Sequence, residues 1–371
     1  MKIFIDLSYI YSLKSGGKTQ FSFILLKGIL KTDTKNDYTI ICNNSLIDLI
    51  KRTFPTFKTI VIKDYHKFKN NKIVYLFMEL VYKNFIIPHI IKNQYPDVVF
   101  FPHECVCLLN RYKKIKTVML PHDIQPISNP MRWSFIMRYY YKIYYTQDFK
   151  YMDKIISISD ADKNEMETFF PQHINKYKKI YNPIDTDAYE EFTYHSAKQN
   201  TIVAINYAGP HKNGLTLVKA FHSISKKTEC NLILIGNTDN NIIEYIKTHG
   251  LENRITVTGY IDDYAKNNYL TNCRLYVNPT LFEGFGMTAV EAIMLGAPCL
   301  LSDLPVNREV TLGYADFYYP AEDADVLAKK ILESLSKKYT DEDLKTRAKI
   351  ITENYNYIRA AKGYIKLFEE D

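Results

Sequence analysis

Three observations predict an α/β fold of two doubly wound, parallel-sheet domains. The chain has 371 residues, more than one ordinary hydrophobic core takes up and suited to two domains of roughly 150–200 residues each. Short β-branched runs alternate with helical stretches in two successive series. A turn at Asn182-Pro183-Ile184-Asp185 and the polar stretch Tyr189–Gln199 divide the two series.

The first series reads as strands at Lys2–Leu7, Tyr38–Cys42, Thr59–Lys63, Val98–Pro102, Thr117–Pro121 and Lys154–Ser159. The second reads as strands at Thr201–Asn206, Asn231–Gly236, Arg254–Gly259, Arg274–Asn278 and Pro298–Ser302. These are near-continuous apolar runs, the pattern of strands covered by helices on both faces. Phe21, Ile24, Leu25 and Ile29 recur at helical spacing after the first strand. The run after Gly286 is helical, stops at Gly296, and is barred from continuing by Pro298, where Cys299-Leu300-Leu301 begins a buried strand. The last stretch, Thr340–Phe368, reads as one long amphipathic helix. Doubly wound sheets bind ligands at the carboxyl ends of their strands, so motifs at those ends matter most.

Apolar residues make up 46% of the chain, enough for two cores, and no segment has a disordered composition. The six cysteines are scattered; Cys105-x-Cys107 suits neither a zinc ribbon nor a redox pair, and reduced thiols in a cytosolic protein are expected. The first residues enter a strand directly, so no signal peptide is expected. The most apolar run, Ile73–Ile91, carries Glu79, Lys83 and Pro88, so no transmembrane helix is expected either. Residues 1–188 hold 28 Lys and Arg against 17 Asp and Glu, leaving +11; the remainder holds 20 against 24, leaving −4. A basic first half suits an anionic membrane surface or acceptor, or simply a solvated face; no nucleic-acid-binding module is present.

The most informative segment is residues 279–303. Glu283 and Glu291 flank the turn Gly284-Phe285-Gly286, and a helix follows. N–H groups around Gly286, Met287 and Thr288 would point at an anion, with the helix dipole adding positive charge. The same residues permit a plainer reading: Thr288-x-x-Glu291 is also a capping box. Ser15-Gly16-Gly17-Lys18-Thr19 after the first strand lacks the spacing of a P-loop or of G-x-G-x-x-G, but a glycine pair before a helix lets backbone approach a phosphate. Leu120-Pro121-His122-Asp123 ends a strand, and His103-Glu104 ends another; their spacing supplies no metal motif. Ser159 reads as an N-cap. Lys212 lies in Gly209-Pro210-His211-Lys212 after the first strand of the second series, and a lysine is a compact charge suited to phosphate.

Glu-Gly-Phe-Gly at 283–286, seven residues between the two glutamates, and Leu-Gly-Ala-Pro at 295–298 together resemble the signature of the family 4 retaining glycosyltransferases, which have the GT-B fold of two facing Rossmann-like domains. The resemblance is strong from Ile202 to Glu309 and diffuse before Thr117. It implies an N-terminal acceptor-side domain over 1–188, a nucleotide-sugar domain over 189–354, and a final helix, 355–371, packing back on the first domain. Gly16-Gly17 resembles the family's loop facing donor phosphate and acceptor. His122 matches the histidine lying close to the transferred sugar. Ile155–Glu165 resembles the family's strand, serine and helix entry, and Tyr181–Asp185 its Asn-Gly-Val-Asp turn with Pro183 in the glycine position. Lys212 matches the lysine that pairs with the donor diphosphate. Asn206-Tyr207 stands where the family commonly has Gly-Arg, which removes one phosphate cation and leaves His211, beside Lys212, to compensate. Gly259-Tyr260-Ile261 matches the backbone that meets the nucleobase, and Pro305–Glu309 closes the region.

What the resemblance implies is a metal-independent, retaining hexosyltransferase without a cofactor. It would use a GDP- or UDP-linked sugar as co-substrate and a glycan or lipid-linked envelope saccharide as acceptor, in the cytoplasm or peripherally at the inner membrane face. His122, Glu283 and Lys212 would be catalytic; Gly16, Gly17, Tyr207, His211, Lys212, Tyr260, Ile261, Glu283, Gly286, Met287, Thr288 and Glu291 would bind donor. A nucleotide-sugar epimerase, a phosphorylase, and a catalytically silent partner subunit share the architecture. An NAD-dependent oxidoreductase is disfavoured, because no strand is followed by G-x-G-x-x-G with an acidic residue about 20 positions on.

Overall fold

A computed structural model describes the whole chain except residues 13–15, 105, 107, 109–111, 113, 130–132 and 371, and the side chain of residue 72. Ser15 of the glycine loop and the pair Cys105 and Cys107 therefore lie outside the described residues. The chain divides into two compact units, residues 1–183 with 357–371, and residues 184–356.

The first unit is built on seven parallel strands: β1 (Lys2–Asp6), β2 (Asp37–Asn43), β3 (Lys58–Ile62), β4 (Val98–Phe101), β5 (Lys116–Met119), β6 (Lys154–Ser157) and β7 (Tyr177–Lys179), in the order β3-β2-β1-β4-β5-β6-β7. The strand order reverses direction between β1 and β4. That is where a doubly wound sheet opens a crevice. Ile3, Phe4, Ile5, Val98, Val99, Phe100 and Phe101 are all essentially inaccessible, as the unbroken apolar runs require of a sheet covered on both faces.

Helix Gly17–Thr32 follows β1, and the last helix, Tyr357–Glu369, lies directly against it. Gly28 makes that approach possible. A Cβ there would sit 2.7 Å from both the Ala361 Cβ and the Tyr357 carbonyl oxygen. Phe100 and Tyr364, with ring centroids 5.2 Å apart, tie the last helix to the sheet.

The second unit has six parallel strands: β8 (Gln199–Ile205), β9 (Asn231–Ile235), β10 (Ile255–Gly259), β11 (Cys273–Asn278), β12 (Cys299–Ser302) and β13 (Asp316–Tyr318), in the order β10-β9-β8-β11-β12-β13. Its core joins Ile202, Ala204, Leu217, Phe221, Leu232, Leu234, Leu275 and Leu300.

Three features depart from the sequence reading. β7 and β13 were not anticipated; each is a three-residue edge strand, too short to carry a periodicity of its own. The run Thr340–Phe368 is two helices, Asp341–Tyr355 and Tyr357–Glu369. Asn356 between them leaves helical geometry (φ −55°, ψ 130°) and pairs with Ile184 as an isolated parallel bridge. No proline or glycine marks that break in the sequence; tertiary pairing makes it.

Candidate functional site

In the second unit the site grows from the carboxyl ends of β8, β11 and β12. After β8, Asn206 adopts φ 52° and turns the chain, and Pro210–Lys212 form a 3₁₀ turn closed by Lys212 N–H donating to the Gly209 carbonyl at 3.0 Å. The Asp239 carboxylate accepts from Gly209 N–H at 2.6 Å and anchors that turn. The His211 carbonyl accepts from Leu281 N–H at 2.8 Å and from the Thr280 hydroxyl at 3.1 Å. This backbone tie brings the loop after β11 against the loop after β8. Its result is a salt bridge in which Lys212 Nζ donates to Glu283 Oε1 at 2.6 Å, with side chains 22% and 16% exposed.

Gly286 takes φ 79° and ψ 42°, the left-handed region, and stands just before helix Met287–Met294. A side-chain-bearing residue costs energy in that conformation. Ala289 and Val290 N–H return to the Gly286 carbonyl, so the donors of the preceding residues form the open positive end of the helix. Met287 and Thr288 are partly exposed there. Buried Asn307 reaches the same turn: it donates to the Ser302 carbonyl at 2.9 Å, and its Oδ1 lies 3.5 Å from where a Cβ on Gly286 would be.

Glu291 is not a capping residue. Thr288 is the second residue of the helix, the position before it is Gly286, and no side chain caps the end. Instead the Glu291 carboxylate, 5% exposed, accepts from Lys266 Nζ at 3.2 Å. Tyr189 also bonds to it; burial first, and then the Glu291 charge and hydrogen bond, push the Tyr189 hydroxyl far above the usual phenol range. Burial pulls the Lys266 ammonium down, but Glu291 and Asp263 outweigh it, so its pKa is raised. A carboxylate so held keeps lone pairs for hydroxyl donors. Tyr260, 77% exposed, and partly exposed Ile261 follow Gly259 at the end of β10.

Tyr207 goes elsewhere. Its ring is 1% exposed and packs in the core with Leu217 and Phe221, so the side chain assigned to the donor is a packing residue. Lys212, Glu283 and His211 are gathered by the loop ties, and Gly286, Met287, Thr288 and Glu291 lie on the adjoining helix.

In the first unit, Gly16 and Gly17 are exposed at the start of helix Gly17–Thr32, Gly16 with φ 89°, and added Cβ atoms would meet nothing within 4 Å. His122, just beyond β5, has φ 67° and is 8% exposed. Its Nε2 lies 3.1 Å from the Pro102 carbonyl, which can only accept, so Nε2 carries the proton. Burial first, then the Lys18 charge, depress the His122 imidazole to about 3. Strained backbone at a buried neutral imidazole fits a functional position.

Beside it stands a polar cluster. His103 Nε2 bonds to Asp6 Oδ2 at 3.2 Å, and Lys18 is paired with Glu104. Burial would raise the Glu104 carboxyl, but Lys18 outweighs it and holds it at about 2. Among the described residues no three His, Cys, Asp or Glu side chains come together in a way that could hold a metal ion. Sequence analysis assigns no role to Asp6, Lys18, Tyr189, Lys266 or Asn307, although Lys18 stands in the glycine loop, Asn307 in Pro305–Glu309, and Asp6 is an acid ending the first strand.

Residues 185–355 match the family model described as glycosyl transferases group 1. The O-antigen chain mannosyltransferase RfbU of Salmonella typhimurium is 25% identical over 208 residues, 54% of this chain and 56% of that protein. The chain thus spans little more than half of RfbU's length. Among solved structures, HepE of Anabaena in complex with UDP and glucose superposes with TM-score 0.69 at 15% identity, over 99% of each chain. A glycosyltransferase from Rickettsia africae superposes with TM-score 0.70 at 15% identity, over 99% of this chain and 97% of the other. At such identities these structures establish the shared fold.

Proposed function

We propose that this chain, whose residues 185–355 match the group 1 glycosyl transferases and whose fold is the GT-B fold of two Rossmann-like domains, moves a hexose-type sugar from a UDP- or GDP-linked donor to a glycan or lipid-linked saccharide of the cell envelope, with retention of configuration. The observation that carries the reading is the joining of Lys212, Glu283 and the N-terminus of helix Met287–Met294 at adjoining strand ends, with Glu291 one helical turn further on.

The roles follow from chemistry. Lys212 and the helix N-terminus meet the diphosphate, where negative charge develops as the glycosidic bond breaks. Glu291 accepts the ribose hydroxyls, since one carboxylate serves two of them. Glu283 holds hydroxyls of the transferred sugar. Backbone at Tyr260 and Ile261 meets the base. The reading assigns no covalent nucleophile, and the acceptor attacks on the face the diphosphate leaves. Lysine and helix dipole supply the positive charge, so the reading calls for no metal ion. The naming of RfbU as an O-antigen chain mannosyltransferase supports the acceptor class.

A panel of UDP- and GDP-hexoses, incubated with the chain and lipid-linked saccharide acceptors, tests this. Acceptor-dependent diphosphate release from donors of one base, with a product of the donor's anomeric configuration by NMR, is expected. Isomerised nucleotide sugar without acceptor, or an inverted product, would overturn it.

A further inference from the structure

Most of the large apolar side chains exposed among the described residues of the first unit lie on two helical segments the donor chemistry does not use. The first is Ile73–Gln94, 22 residues containing an 18-residue stretch of mean hydropathy 1.3 that is 22% buried, long and apolar enough to cross a membrane by length and composition. The second is helix Phe135–Tyr151. They meet where Lys83 Nζ sits over the Tyr144 ring at 5.6 Å, and Tyr82 and Tyr145 belong to one core cluster.

The inner faces belong to the domain core. Tyr82, Ile87 and Ile91 of the first segment, and Tyr144, Tyr145 and Phe149 of the second, are buried. A helix whose inner face is domain core cannot leave to span a bilayer. The outer faces differ. Ile73 (83% exposed) and Phe77 (63%) project from the first helix, and Phe135 (79%), Ile136 (78%) and Tyr139 (61%) from the second.

The charges on helix Phe135–Tyr151 have one sign. Arg138, Lys142 and Lys150 are exposed, whereas its single acid, Asp148, is fully buried and accepts from Val106 N–H. A cavity of about 590 Å³ alongside has apolar walls from Pro126, Ile127, Phe135 and Phe169 and carries Arg138 and Lys142. On helix Phe135–Tyr151, large exposed apolar side chains mixed with cations, with no exposed acid on that helix, match the interfacial layer of an anionic bilayer: rings and aliphatics enter the acyl boundary, and bases meet lipid phosphates.

We propose that the outer faces of these two helical segments form a docking surface for an anionic lipid bilayer, on which the protein lies peripherally. Phe135, Ile136 and Tyr139 insert, and Arg138 and Lys142 bind the phosphates of the headgroups. The surface is independent of the nucleotide-binding residues.

The test is sedimentation of the full chain with vesicles of phosphatidylcholine alone and of phosphatidylcholine mixed three to one with phosphatidylglycerol. Binding to the mixed vesicles, weakened by salt, is expected. The double variant Arg138→Gln/Lys142→Gln should lower partitioning by about thirty-fold, from roughly 1 kcal/mol per basic residue. Phe135→Ser/Ile136→Ser should also lower it, with unaltered circular dichroism, because these side chains are exposed. Titration of each variant with UDP and GDP runs in parallel; intact vesicle binding by a chain that binds no nucleotide would support this surface while sinking the donor assignment. Equal partitioning onto both vesicle types, or variants that bind as wild type, would overturn the proposal. So would a concentration-dependent dimer that the same substitutions abolish, because a second copy would then cover the face.

Discussion

Lys212 Nζ donates to Glu283 Oε1 at 2.6 Å, joining two residues 71 positions apart on neighbouring loops. On the proposed reading a diphosphate would compete with one carboxylate for an ammonium that has three donors, and Glu283 would take hydroxyls of the sugar. Lys212→Ala should therefore weaken UDP or GDP binding by about ten- to a hundred-fold, the loss of one charge-assisted contact of about 1.5–3 kcal/mol. Calorimetric titration checks this. Unchanged affinity would remove Lys212 from the donor site.

Glu291 is held by Lys266, both of them largely buried. Lys266→Met leaves the carboxylate without its cation, and loss of about 3 kcal/mol of stability is expected. The double variant Lys266→Met/Glu291→Leu should recover part of it, since removing both charges spares the stranded one. Denaturant midpoints of the two variants measure the difference; equal midpoints would mean that the two residues are not coupled.

His122 gives the first unit an acid limit. Its imidazole is depressed from an ordinary value near 6.5 to about 3 by burial and Lys18. The unfolded chain therefore binds a proton below about pH 6.5 that the native chain refuses until about pH 3, and stability falls as pH drops through that window. The low Glu104 carboxyl, at about 2, adds a loss of the same sign at lower pH. His122→Asn, which tolerates a left-handed backbone, should flatten the dependence between pH 6.5 and 5 in thermal melts. An unchanged slope would place the proton uptake on another group.

Gly28 is the contact between helix Gly17–Thr32 and helix Tyr357–Glu369. Even Gly28→Ala places a Cβ 2.7 Å from the Tyr357 carbonyl oxygen, and about 1–3 kcal/mol of overpacking is expected. Limited proteolysis should then release the last helix faster than from wild type. Wild-type protection would show that the helices can shift at no cost.

The two parallel sheets were legible because their central strands are long apolar runs separated by helical spacing, a pattern dictated by burial on both faces. β7 and β13 were not, since Tyr177-Lys178-Lys179 and Asp316-Phe317-Tyr318 lie at sheet edges and are too short to show a period. The break at Asn356 was hidden for another reason: it is set by pairing with Ile184, 172 positions away, and not by a local helix breaker. In the site, the Glu283–Glu291 spacing and the Gly286 turn were readable because turn and helix are local chemistry. Lys266 and Tyr189 were not, because their link to Glu291 exists only after folding. Tyr207 misled in the same way. Next to a phosphate-type loop it reads as a ligand contact, yet the turn at Asn206 sends it into the core.

A structure of the chain with bound UDP or GDP is the most direct measurement of the account. The diphosphate should lie within hydrogen-bond reach of Lys212 Nζ and of the N–H groups of Met287 and Thr288, with the ribose hydroxyls on the Glu291 carboxylate. A nucleotide seated away from Lys212 and Glu291 would contradict it.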